Sequence, residues 1–128
     1  MIMGYVALAV LMTPPTHIVI ASREGLIGKK TASGLIIKRD SVFVALPSRS
    51  ALGRKVLVTY KGKTIEAVVK DVGPHYTRNP YWRLEGGRPK AERKKKCNHA
   101  GIDLSDALWD QLEIPRAVGL VRVAWRFK

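Results

Sequence analysis

The sequence predicts a mainly β fold, a compact β-barrel that carries one short α-helix and a long basic loop. Three observations support this fold class. Short segments rich in β-branched and aromatic residues recur along the chain, several of them alternate apolar and polar positions, and only one segment has helical periodicity. A length of 128 residues suits a single domain, and a hydrophobic content of 46% supplies enough apolar side chains for a core.

Five segments have the composition of strands, and their apolar residues tend to fall on alternate positions. They are residues 17–21, 41–46, 55–60, 64–72 and 119–127. The last is the clearest, because Val121, Val123, Trp125 and Phe127 share one face. Residues 61–63 (Lys-Gly-Lys) predict a short hairpin turn between two of these strands.

One helix is predicted at residues 105–114. Ser105 is suited to the N-cap, Asp106 complements the positive helix start, and Pro115 ends the helix. A buried stripe is expected from three leucines spaced four apart, namely Leu104, Leu108 and Leu112.

The chain is strongly basic, with 23 Lys and Arg against 10 acidic residues and a formal net charge of +13. Such a surface attracts polyanions, whether nucleic acid, anionic lipid or a phosphate-bearing cell wall. The segment between Trp82 and Gly101 is predicted to be an exposed loop, since it lacks periodicity. Its basic run is either a solvated surface or a contact for anionic wall polymers, and it consists of Arg93, Lys94, Lys95 and Lys96.

The N-terminal residues 1–17 are apolar and are predicted to form an arm or strand that precedes a barrel domain at residues 18–128. A cleaved signal peptide is the alternative, but no Lys or Arg precedes Arg23, so the positively charged start of such a signal is missing. The apolar run is also shorter than the roughly 20 residues that span a bilayer.

Cys97 is the only cysteine, which excludes a disulfide within the chain. The combination of Cys97, His99 and His75 does not have the spacing of a structural zinc site, and no second thiol is present. We therefore expect neither a metal nor another cofactor.

Two acidic residues stand out as candidates for chemistry. Asp71 is near the end of an apolar strand next to Gly73-Pro74, and Asp103 lies between Ile102 and Leu104 just ahead of the predicted helix. An acid among large apolar neighbours is partly desolvated, which raises its pKa toward neutrality. The structural alternative is that Asp103 caps the helix and Asp71 closes a turn through backbone amides.

The loop that follows Asp71 is rich in rings. Tyr76, Tyr81 and Trp82 could present apolar faces to pyranose rings, or they could pin the loop to the barrel. His75 could titrate near neutrality and assist as a second acid or base, although an ordinary polar role in the loop is the simpler interpretation.

Four segments in this order resemble the rare lipoprotein A-like group, which is related to expansins, barwin and the barrel of the membrane-bound lytic transglycosylase A. The segments are TASG at 31–34, VALP at 44–47, LGRKVLVTYKGKTIEAVVKDVGP at 52–74 and GIDLSDALWDQL at 101–112. The resemblance covers about residues 18 to 127. It implies a six-stranded double-psi β-barrel.

The resemblance also implies that the barrel brings Asp71 and Asp103 to one groove, with Thr31 and Gly34 of the TASG segment nearby. In lytic transglycosylases of this lineage the aspartate that matches Asp103 is the general acid and base. It would protonate the glycosidic oxygen between N-acetylmuramic acid and N-acetylglucosamine, and then deprotonate the muramyl 6-hydroxyl to leave a 1,6-anhydro end. Asp71 would tune Asp103 or stabilise positive charge on the sugar.

The sequence departs from the group at two places. Leu35 follows TASG where the group usually has Glu, and Val44-Ala45 precedes Leu46-Pro47 where a His is usual. Three functions therefore stay open: a lytic transglycosylase acting on peptidoglycan, a non-hydrolytic expansin-like domain that binds cell-wall glycan, and a nucleic-acid-binding barrel. The last ranks lowest because the basic and aromatic segments are both connections and match no nucleic-acid motif. We expect a monomer in the cell envelope, outside the cell or on a phage particle.

Overall fold

The computed structural model describes residues 14–74, 79–89 and 99–128. Within these ranges the chain forms six strands, one α-helix and two short 3-10 turns. The strands are β1 His17–Glu24, β2 Phe43–Leu46, β3 Lys55–Tyr60, β4 Lys63–Val72, β5 Ala100–Ser105 and β6 Leu120–Phe127. The helix α1 is Asp106–Gln111, and the 3-10 turns are Arg49–Ala51 and Tyr81–Arg83.

The six strands close into a barrel in the order β1-β5-β2-β4-β3-β6, which confirms the predicted mainly β fold with one short helix. Two of the neighbouring pairs, β1 with β5 and β2 with β4, are parallel. The other four are antiparallel. Parallel neighbours cannot be joined by a hairpin, so residues far apart in the sequence become adjacent in this barrel.

The barrel interior is filled by the alternating apolar positions that the sequence predicts. On β6, Val123, Trp125 and Phe127 are buried. The facing strands contribute smaller side chains, in particular Val56 and Val58 of β3 and Ala67 and Val69 of β4. Because side chains alternate across a strand, the residues between these positions lie on the outer surface of the barrel.

The predicted hairpin turn joins β3 to β4. Its two loop residues, Lys61 and Gly62, have positive φ angles of 45° and 81°. This is the combination of a type I′ turn, whose twist matches that of the strands.

The helix is shorter than predicted, ending at Gln111 instead of residue 114. Glu113 adopts a left-handed φ of 60°, and the N–H of Ile114 donates back to the carbonyl of Trp109 at 3.1 Å. This bond ends the helix before Pro115 is reached. At the other end Ser105 is the N-cap as predicted, since its hydroxyl accepts from the Leu108 N–H.

Strand β5 is absent from the strands that local sequence patterns predict. Gly101, Asp103 and Ser105 are residue types that strands disfavour, yet they form a strand here because β5 pairs with β1 on one side and β2 on the other. A Cβ atom at Gly101 would lie 2.7 Å from Pro89 Cγ and 2.9 Å from Val19 Cβ, so only glycine fits this position. Within the described ranges, no helix is long and apolar enough to cross a bilayer.

Candidate functional site

The pairing register of four neighbouring strands places three polar side chains in one row on the outer face of the barrel. Ser22 on β1 lies opposite Asp103 on β5, Asp103 lies opposite Ala45 on β2, and Ala45 lies opposite Asp71 on β4. Residues directly opposite one another point to the same face of a sheet. Asp71 and Asp103, which are 32 positions apart in the sequence, are therefore separated by a single alanine across the sheet.

Asp103 is held in a confined position. The Ser22 hydroxyl donates a hydrogen bond to its Oδ1 atom. Its Oδ2 atom lies against the backbone of Gly73, because a Cβ atom built on that glycine would come within 2.7 Å of it. Burial raises the pKa of Asp103 to about 6, an effect that the Ser22 hydrogen bond opposes and the neighbouring Asp71 reinforces. The carboxyl can consequently exchange its proton close to neutral pH.

Asp71 fastens the TASG segment to the end of β4. Its Oδ1 atom accepts hydrogen bonds from the backbone N–H of Ala32 at 2.8 Å and from its neighbour Val72 at 2.9 Å. The Ser33 N–H also donates to the carbonyl of Lys70. The structure thus shows Asp71 closing a turn through backbone amides, while its partly exposed carboxylate stays in the polar row.

Glu24 is a third carboxyl at this site, and sequence reasoning missed it. It follows Ser22 by two positions on β1, so both side chains lie on the outer face of that strand. Desolvation raises the pKa of Glu24 to about 9, and a hydrogen bond with Asp71 together with the charges of Asp71 and Asp103 reinforces the shift. Glu24 is accordingly protonated at neutral pH. Its Oε2 atom is buried and has no hydrogen-bond partner within the described ranges.

We call Glu24, Asp71 and Asp103 the carboxyl cluster. Two of the three have a raised pKa, so the cluster holds protons that it can donate, and it also offers carboxylate oxygens that accept. Within residues 14–74, 79–89 and 99–128, no group of three His, Cys, Asp or Glu side chains is arranged to hold a metal ion.

Thr31 lies near Asp71 but faces the interior of its own loop. Its side chain is only 4% exposed, and its hydroxyl bonds with Ser33 Oγ at 3.0 Å and accepts from the Leu35 N–H at 3.2 Å. The Thr31 hydroxyl is therefore already used by the loop, and its contact with substrate stays a prediction. Gly34 forms the turn of this loop with a φ of 91°, and a side chain there would meet open space.

Tyr81 belongs to the core, which favours the alternative that its ring pins the loop to the barrel. It is 2% exposed, and its hydroxyl donates to the Gly101 carbonyl at 2.8 Å while accepting from Trp125 Nε1 at 2.9 Å. Trp82 is half-buried against Phe127 and Trp125, with ring centroids 5.9 Å apart in both pairs. It lies beside the start of β1, so the structure does not bring it to the carboxyl cluster.

The remaining candidates fall outside the described residues. They are His75, Tyr76, Arg93, Lys94, Lys95, Lys96 and Cys97, as well as most of the N-terminal arm.

Replacing Glu24 with Gln is expected to stabilise the protein at pH 8 but not at pH 4. The folded protein keeps Glu24 protonated up to a pKa of about 9, whereas the unfolded chain ionises it near the ordinary value of 4.5. The wild type therefore loses stability as the pH rises through this window, and glutamine does not titrate. We expect a gain of roughly 1–2 kcal/mol at pH 8, below the full value of the shift because the side chain is part exposed.

Urea unfolding of the wild type and of Glu24→Gln at both pH values measures this difference. Glu85→Gln, on the exposed segment after Trp82, is the matched control and should leave the pH dependence unchanged. Equal stability of Glu24→Gln and the wild type at pH 8 would show that Glu24 is not held protonated.

Comparison with solved structures places this barrel among double-psi β-barrel proteins. A Streptomyces papain inhibitor matches with a TM-score of 0.59 and 23% identity, over 88% of this chain and 94% of that protein. A Clavibacter michiganensis expansin, as a point mutant in complex with cellohexaose, matches with a TM-score of 0.60 and 15% identity over 89% of this chain. The same expansin without ligand gives a TM-score of 0.56 at 17% identity, again over 89% of this chain.

The chain spans 50% of the length of the expansin in both cases. These likenesses confirm the expansin-like double-psi β-barrel that the sequence motifs predict. No curated protein matches the sequence. Residues 15–97 match the family described as a domain of unknown function, DUF8814, and the chain belongs to that family.

Proposed function

We propose that this domain binds cell-wall polysaccharide at the carboxyl cluster and does so without cleaving it. The observation that carries the proposal is the gathering of Glu24, Asp71 and Asp103 on the outer face of neighbouring strands, with two of the three carboxyls holding protons near or above neutral pH.

The chemistry of the cluster suits sugar hydroxyls. Each hydroxyl can donate one hydrogen bond and accept others, so a site that both donates and accepts can satisfy it fully. A protonated Glu24 supplies a donor, and the ionised form of Asp103 supplies a charged acceptor, whose hydrogen bonds are stronger than neutral ones. Three ionised carboxylates side by side would offer acceptors only.

The expansin comparison supports polysaccharide as the ligand class. That protein was solved with cellohexaose, a polymer fragment made of sugar rings with many hydroxyls, and its fold resembles this barrel. Peptidoglycan is the polysaccharide that we propose for this chain, on the basis of its sequence resemblance to the rare lipoprotein A-like group. The domain would then act in the cell envelope or outside the cell, where that polymer occurs.

A second candidate is the lytic transglycosylase reaction, and the pKa of Asp103 favours it specifically. At a pKa of about 6 the carboxyl is still protonated in part of the population near neutral pH. It could pass that proton to the glycosidic oxygen as the C–O bond breaks. The resulting carboxylate could then remove the proton of the muramyl 6-hydroxyl as its oxygen bonds to the anomeric carbon, which restores the acid.

Titration of isotope-labelled protein with cellohexaose and with soluble peptidoglycan fragments tests the proposal by NMR. We expect saturable shifts at the residues of the carboxyl cluster for at least one of these ligands. Incubation with purified sacculi separates the two candidates, because only the transglycosylase releases soluble fragments with 1,6-anhydro ends. The absence of any shift with both ligands would refute polysaccharide binding.

A further inference from the structure

A cleft lies on the molecule at the start of β1, away from the carboxyl cluster along that strand. It has a volume of about 970 Å³ and runs between the start of β1 and the segment that follows Tyr81. Its apolar lining includes Ile18, Ile20, Trp82 and Leu84. Ile18 is 66% exposed and Leu84 is 74% exposed, so part of the apolar lining faces solvent.

The lining of the cleft carries a positive charge, because it includes three arginines and one acid, namely Arg83, Arg88, Arg122 and Glu85. Arg88 and Arg122 both line it, both are exposed, and neither lies within salt-bridge distance of a carboxylate in the described part of the chain. Elsewhere in the same ranges, exposed cations such as Arg116 and Lys128 do pair with acids. A guanidinium group without a partner is suited to bind a carboxylate in a bidentate manner.

The outer face of β1 leads from the cleft toward the carboxyl cluster, and no residue lines both. Ile20 lies opposite Arg122 in the β1–β6 pairing, so both side chains share that face. The next outward residue on β1 is Ser22, which donates to Asp103, and two residues along a strand cover about 7 Å. A single extended polymer lying along β1 could therefore reach both places.

We propose that the cleft binds the acidic part of a polysaccharide in which only some of the sugars carry a carboxylate. An acidic sugar would occupy the cleft against Arg88 and Arg122, while neutral sugars of the same chain lie at the carboxyl cluster. This inference rests on the proposed function, because it extends the same polymer beyond that cluster.

Uniformly charged polyanions fit this arrangement poorly. Nucleic acid carries a phosphate at every residue, so a strand that followed β1 would place an anion against Asp71 and Asp103. A polysaccharide in which only some sugars carry a carboxylate avoids this repulsion, because neutral sugars can lie beside Asp71 and Asp103.

Binding of carboxymethyl cellulose and hydroxyethyl cellulose tests the proposal, since the two polymers share a backbone and differ in charge. The variant is Arg88→Gln/Arg122→Gln, and the matched control is Arg39→Gln/Lys61→Gln, which removes the same charge from exposed positions outside the cleft. We expect the wild type to prefer carboxymethyl cellulose about tenfold, and the variant but not the control to lose that preference.

The outcomes also separate this inference from the proposed function. A wild type that binds both polymers equally, or a control that loses as much affinity as the variant, would overturn the inference and leave glycan binding intact. A wild type that binds neither polymer nor any peptidoglycan fragment would refute the proposed function itself. Tighter binding to duplex DNA than to carboxymethyl cellulose would replace the polysaccharide by nucleic acid.

Discussion

Replacing Asp103 with Asn is expected to weaken polysaccharide binding by about 10- to 100-fold, because a hydrogen bond to a charged group contributes roughly 1.5–3 kcal/mol. The asparagine side chain has nearly the same shape, and its oxygen can still accept from the Ser22 hydroxyl. What it loses is the charge that strengthens hydrogen bonds from sugar hydroxyls, together with the titrating proton.

The stability of the same variant at pH 7 should rise, although its affinity falls. Burial raises the pKa of Asp103 to about 6, so at pH 7 the wild type bears the cost of a confined charge. This contribution to stability is present below the ordinary pKa of 3.8 and is lost as the pH rises through 6. Asparagine removes the cost, and we expect the variant to be up to about 1 kcal/mol more stable than the wild type at pH 7.

Measured affinity and urea unfolding of Asp103→Asn together distinguish a binding residue from a structural one. Asp40→Asn, an exposed acid in the loop before β2, is the control and should change neither quantity. Asp103 would be structural if its replacement by Asn lowered stability at pH 7 while the affinity of the folded protein stayed the same.

Replacing Tyr81 with Phe is expected to destabilise the fold by about 2–4 kcal/mol. The Tyr81 hydroxyl donates to the Gly101 carbonyl and accepts from Trp125 Nε1, and both bonds are buried. Phenylalanine would leave a buried acceptor and a buried donor without partners, and each such loss costs about 1–3 kcal/mol. The ligand affinity of the folded protein should not change, because Tyr81 has no exposed face.

Thermal or urea unfolding of Tyr81→Phe measures this loss. Tyr60→Phe on β3 is a suitable control, since Tyr60 is half-buried and its hydroxyl makes no side-chain hydrogen bond within the described part of the chain, and it should cost less than about 1 kcal/mol. Loss of affinity with unchanged stability in Tyr81→Phe would return Tyr81 to the role of a sugar-binding ring.

Local sequence patterns predict most of the strands, because the apolar residues that alternate in the sequence are the residues that are buried inside the barrel. The alternation of Val123, Trp125 and Phe127 is sufficient to locate β6, and the Lys61-Gly62 turn joins two strands that are adjacent in sequence. β5 is different, since its Gly, Asp and Ser residues have low strand propensity. It becomes a strand through its pairing with β1 and β2. Both partners are distant in the sequence, so the residues around β5 do not predict it.

In the candidate site, too, some residues can be predicted from their sequence neighbours, whereas others depend on residues that are distant in the sequence. Asp103 can be found from its apolar neighbours, but Glu24 stands at a strand end where an acid usually faces solvent. Burial raises its pKa most, and Asp71 and Asp103, which lie 47 and 79 positions further along the chain, raise it further. Tyr81 likewise owes its burial to Trp125, whose indole reaches it across 44 positions.

The claim that the carboxyl cluster binds polysaccharide is tested most directly by the NMR titration with soluble glycans, when the signals of the side-chain carboxyl carbons are followed. In the free protein we predict that Glu24 titrates near pH 9 and Asp103 near pH 6. Saturating glycan should then shift the signals of Glu24, Asp71 and Asp103 together, and it should also change the pKa values of Glu24 and Asp103. Ordinary pKa values for Glu24 and Asp103 in the free protein would contradict the description of the carboxyl cluster. Glycan-induced shifts at other residues, with none at these three carboxyls, would contradict glycan binding at the cluster.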